Sequence, residues 1–141
     1  MSGAARWADL WPRLVSGIVL IVVGAVEIWV GGLPFAALVC ALAGAMIWEA
    51  ARMFAARDAL RSGVLAAVAL ALALWLPGIM VLPLLLAAVM VASSSIERER
   101  GPFFALALWA LLGCYAMGTL RAEAGLVWVL WLVAVVVISD V

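Results

Sequence analysis

Apolar residues in this 141-residue chain come in long unbroken runs rather than in alternation. Charges and turn residues divide them into six spans, at about 14–30, 35–51, 63–76, 79–95, 103–120 and from 125 onward. A membrane-crossing helix takes about 20 residues, so each run has close to the length of one span. Lipid-exposed spans must be helices or closed barrels, and continuous runs point to helices. The pattern predicts an all-α, polytopic membrane helix bundle of about six spans, residues 14–141. An interfacial segment, residues 1–13, precedes it. In that segment Trp7, Leu10, Trp11 and Leu14 recur at helical spacing, with Arg6, Asp9 and Arg13 between them. Tryptophan at this place suits the headgroup layer, and Asp9 and Arg13 are spaced to pair.

Composition agrees. The chain is 71% hydrophobic and 11% charged, with a mean hydropathy of +1.35. Soluble domains are about 45–50% apolar and about 25% charged. Eight basic residues balance eight acidic ones, so there is no basic field for nucleic acid. Every basic residue is an arginine, and there is no histidine, which removes the usual general base and metal ligand. Cys40 and Cys114 lie in separate apolar runs and read as packing residues.

The placement of arginine carries more than its number. Arg6 and Arg13 precede span one. Arg52, Arg57 and Arg61 lie in a polar loop at 52–62, and Arg98 and Arg100 lie in a second, Glu97-Arg98-Glu99-Arg100-Gly101-Pro102. Only Arg121 falls on the other side. The positive-inside rule then puts the N-terminus and both polar loops in the cytoplasm of an inner (cytoplasmic) membrane.

Three acids sit in or beside spans, where each needs a reason. Glu27 is about one turn from the outer end of span one and is expected to reach headgroups or water. Glu49 ends span two, three residues before Arg52, and reads equally as an ion-pair partner or a functional acid. Asp140 lies about 24 Å along span six at 1.5 Å per residue, short of the roughly 30 Å hydrocarbon core. A carboxylate there, next to the last residue, leads to the expectation of a chain cut in mid-helix. Ala110, Cys114 and Gly118 form a small-residue stripe suited to close helix approach, and Gly17 and Gly24 do so more weakly. Tyr115 lies beside the stripe, with its hydroxyl expected near a headgroup or a neighbouring helix. Ser93-Ser94-Ser95 reads as a helix end.

Arg13, Leu14, Ser16 and Gly17, the Gly-Gly-x-Pro-Phe turn and the Trp48-Glu49 pair together resemble bacterial phosphatidate cytidylyltransferases, the CDP-diacylglycerol synthases. So does the succession Tyr115, Leu120-Arg121, Gly125, Trp128, Ser139-Asp140. The resemblance covers the N-terminal half of that family. It implies transfer from CTP to phosphatidic acid, giving CDP-diacylglycerol and pyrophosphate in phospholipid biosynthesis, with Mg²⁺. Charge on the triphosphate is then neutralised at the cytoplasmic interface, where the nucleotide and the membrane lipid meet. It makes Asp140 a metal or nucleotide candidate, with the principal catalytic residues expected beyond Val141 and the 141 residues alone expected to be inactive. Arg52, Arg57 and Arg61 become lipid-phosphate candidates, or equally anchors to anionic lipid. A small proton-coupled transporter using Glu27 or Glu49, a non-catalytic membrane subunit, and homo-oligomerisation remain open alternatives.

Overall fold

The computed structural model describes residues 3–139, with side chains from Val15 onward apart from residues 16 and 20. Six α-helices follow one another: α1 Gly3–Val30, α2 Gly32–Met53, α3 Ala59–Ala73, α4 Gly78–Ser94, α5 Arg100–Thr119 and α6 Leu126–Ser139. A π-helical turn, Leu120–Ala124, prolongs α5. There is no strand among the described residues. The protein is an all-α membrane helix bundle. Two of its helices, Gly32–Met53 and Arg100–Ala124, are long and apolar enough to cross a bilayer unaided.

The boundaries depart from the sequence reading in ways that have local causes. Residues 3–30 form one helix, so no break separates the interfacial segment from the first span; the Asp9–Arg13 pair lies outside the described side chains. The turn expected over 31–34 contracts to Gly31, at φ +66°. Pro34 falls in the first turn of α2, where its missing N–H has no helical acceptor to satisfy. The first polar loop shrinks to five residues between α2 and α3. Helix α2 closes in a Schellman motif: the amide of Ala56 donates to the Ala51 carbonyl (2.9 Å) and that of Ala55 to Arg52 (3.1 Å). Ala55 takes the left-handed position at φ 51° that glycine usually fills. Asp58 then caps α3, its carboxylate accepting from the Arg61 amide at 3.0 Å. Arg52 and Arg61 are therefore helical, not loop, residues.

The core belongs to α2–α5. Buried positions recur every three or four residues, as Phe35, Val39, Ala43 and Ile47 on α2 and Val81, Leu85, Val89 and Ala92 on α4. They make one stripe per helix. The closest approach is between α2 and α3. A Cβ on Gly63 would stand 2.7 Å from the Gly44 carbonyl oxygen and 2.7 Å from the Trp48 Cβ. Two glycines let the backbones meet there, the membrane form of small-residue packing.

The stripe expected on span five divides instead. Gly118 admits the side chain of Leu74, whereas Ala110 borders an open groove. Gly17 and Gly24 have no neighbour within 4 Å, because α1 lies beside the four-helix core rather than in it. Helix α6 buries only Val129. Most of its remaining apolar surface, like that of the described side chains of α1, is exposed and suits lipid contact.

Candidate functional site

The two polar loops and the helix ends beside them gather at one end of the bundle. Two links hold them together. The amide of Arg57 donates to the Ser95 carbonyl at 3.1 Å, and the Arg57 guanidinium pairs with Glu97. The hydrogen bond from Arg57 and then its charge hold the Glu97 carboxyl below the usual range, with Arg100 adding to the effect. Ser93, Ser94 and Ser95 donate to the carbonyls of Val89, Val91 and Ala92 and finish α4. They are a helix end, as the sequence suggests.

On the last turn of α2, Arg52 lies 3.7 Å from the Glu49 carboxylate. Its guanidinium carbon is 5.4 Å from the centre of the Trp48 ring. Both charged side chains remain more than half exposed, so the pair is loose and Arg52 keeps free donors. Arg61 opens α3 with an exposed side chain. Among the described residues neither it nor Arg98 makes an ion pair. The lipid-phosphate candidates thus separate: Arg57 is committed to Glu97, while Arg52 and Arg61 present charge.

An apolar groove runs between α2 and α5 to this cluster. A section of 320 Å³ is bordered by Met46, Met53, Leu106, Ala110 and Glu49. A second section of 600 Å³ shares Met46, Leu106 and Ala110 and continues along α5 past Gly113 and Ala116. The small residues on α5 leave this space open. Nothing in the hydropathy marks it, since core-facing and groove-facing residues are equally apolar.

At the opposite end, Arg121 reaches from the π turn to the end of α1. Its Nε donates to the Ile28 carbonyl (2.9 Å) and its Nη2 to that of Trp29 (3.2 Å). These carbonyls have no partner within the helix, and a cation suits the negative end of the dipole. The guanidinium carbon lies 2.6 Å from where a Cβ on Gly31 would stand, so the glycine at 31 provides the space. Drawing the last turn of α1 onto the bundle also turns Glu27 inward. Its Oε2 is buried with no hydrogen-bond partner among the described residues, contrary to the expectation that it reaches headgroups or water. Tyr115 lines a cleft beside Arg121.

Asp140 lies outside the described residues. Among those described, no three of His, Cys, Asp and Glu gather. Glu49, Glu97 and Asp58 are each engaged by an arginine or a backbone amide.

The polar end of the bundle thus carries five arginines and four acids, and the apolar groove that reaches it is bordered there by Glu49. The model of the cytidylyltransferase family matches residues 11–141, and the chain belongs to that family. Its chemistry is accordingly that of a CTP-utilising nucleotidyltransferase. No curated protein and no solved structure matches the chain.

Proposed function

We propose that the acceptor is phosphatidate and that the reaction gives CDP-diacylglycerol and pyrophosphate. The observation that carries this reading is the groove between α2 and α5, which is bordered by Glu49, with Arg52 3.7 Å beyond that carboxylate. An acyl chain fits a channel walled by methionine, leucine and alanine. A phosphate monoester at its mouth meets the unsaturated donors of Arg52, with Arg61 on the neighbouring helix. A phosphate oxygen of the lipid attacks the α-phosphorus of CTP. The new P–O bond forms as the bond to the β-phosphate breaks, and pyrophosphate leaves. The arginines hold the attacking phosphate and reduce its repulsion from the triphosphate. Mg²⁺ belongs to this reading as the counter-charge of the triphosphate. CTP is water-soluble and phosphatidate is not, so the reaction belongs at an interface. The arginine distribution supports the cytoplasmic face as that interface.

The test is cytidylyl transfer by the reconstituted enzyme to phosphatidate, set against transfer to a single-chain polyprenyl phosphate. CDP-diacylglycerol and pyrophosphate should appear in equal amounts, with the polyprenyl acceptor inert. Arg52→Ala should raise KM for phosphatidate about tenfold, the worth of one charged hydrogen bond, and leave KM for CTP unchanged. Transfer to the polyprenyl phosphate alone would overturn the assignment of acceptor. An unchanged KM for phosphatidate would remove Arg52 from the site.

A further inference from the structure

The end of the bundle away from the polar loops holds a cleft of 530 Å³, within the roughly 300–1,000 Å³ of small-molecule sites. Phe35 and Leu74 give it an apolar wall, and Arg121 and Glu123 of the π turn stand at its rim with Tyr115. Arg121 commits Nε and Nη2 to the α1 carbonyls, and Nη1 makes no hydrogen bond among the described residues. Carbonyl dipoles orient the guanidinium without cancelling its charge. Glu123 is exposed and makes no ion pair among the described residues. Both side chains of the π turn line the cleft, and such turns recur at functional sites. An apolar cleft is thus flanked by one positive and one negative side chain, neither matched to the other.

Opposite charges lining one cleft favour a ligand that carries the complementary pair. We infer that this cleft binds a zwitterionic phospholipid. Its phosphate lies on Arg121, its ammonium group on Glu123 and one acyl chain along Phe35 and Leu74. A headgroup with only negative charge would meet Arg121 but be repelled by Glu123. The site lies at the far end from Arg52, so it stands whatever the acceptor in the reaction proves to be.

Native mass spectrometry of the full-length enzyme, loaded with equal phosphatidylethanolamine and phosphatidylglycerol, tests this. Phosphatidylethanolamine should be retained about fivefold over phosphatidylglycerol, the upper worth of one exposed ion pair. Glu123→Gln should bring the two lipids to parity with the melting temperature unchanged. Ala122→Trp, on an exposed lining position, should reduce retention of both. Soluble glycerophosphoethanolamine should not be retained, which separates the lipid from its headgroup. Equal retention of the two lipids by the unaltered enzyme would overturn the proposal. So would a preference that survives Glu123→Gln, lipid retained in the Ala122→Trp variant, or a headgroup retained as well as the lipid.

Discussion

Replacing Gly63 by alanine places one methyl group at the tightest point of the bundle. The new Cβ would lie 2.7 Å from the Gly44 carbonyl oxygen and from the Trp48 Cβ, and 3.3 Å from the Trp48 Cα. All three belong to the α2 backbone or its first side-chain atom, so no flexible side-chain tip can swing aside. The helices must part by about 0.7 Å to recover ordinary contact, and dispersion energy is lost along the seam. Overpacking of this kind costs about 1–3 kcal/mol. Alanine returns about 1 kcal/mol of helix propensity, leaving a net loss of up to about 2 kcal/mol. Gly24→Ala is the control, because nothing lies within 4 Å of its Cβ and only the propensity gain remains. Thermal unfolding in detergent, followed by tryptophan fluorescence, should show Gly63→Ala melting up to about 8 °C below the parent protein and clearly below Gly24→Ala. Gly24→Ala should melt at or above it. A Gly63→Ala variant as stable as Gly24→Ala would refute the glycine contact as the determinant of α2–α3 packing.

Arg121→Gln removes the cation that closes the end of α1. Amide hydrogen exchange in the last turn of α1 should then rise by about tenfold or more, as charged hydrogen bonds of about 1.5–3 kcal/mol are lost, with exchange in α3 and α4 unchanged. Ala55→Gly relieves the left-handed position in the α2–α3 turn and should stabilise the protein by about 1 kcal/mol, measured by the same melts. The Arg57 hydrogen bond and charge lower the folded-state Glu97 carboxyl below its ordinary value of about 4.5. Its contribution is therefore present above pH 4.5 and is lost as the pH falls through the lowered folded value. Between pH 3 and 6, hydrogen exchange should show the two polar loops separating on acidification, and Glu97→Gln should remove that transition.

Several local features follow from short-range chemistry and are legible in the sequence. Glu49 and Arg52 are one helical turn apart and meet. The serine triplet ends α4 through bonds to its own carbonyls. The Arg57–Glu97 link joins residues forty apart, and the only hint of it is opposite charge in two loops. Arg121 and the α1 carbonyls are more than ninety residues apart, so no spacing rule connects them. A glycine pair at 31–32 signals a turn but not the guanidinium that occupies the space beside it.

Hydropathy and arginine placement by themselves determined a helical membrane bundle with its polar loops at one end. Those are properties of length, transfer free energy and net charge, which add along a chain regardless of partners. Which apolar face turns inward was decided by the tertiary structure alone. In water, the core-facing side of a helix is marked by its hydrophobicity. In a bilayer, lipid and neighbouring helix are equally apolar, so the choice falls to shape. Gly44 and Gly63 make a contact, Ala110 and Gly113 border a groove, and Gly17 and Gly24 meet nothing. The same small side chains take three different roles because packing, not polarity, distinguishes them.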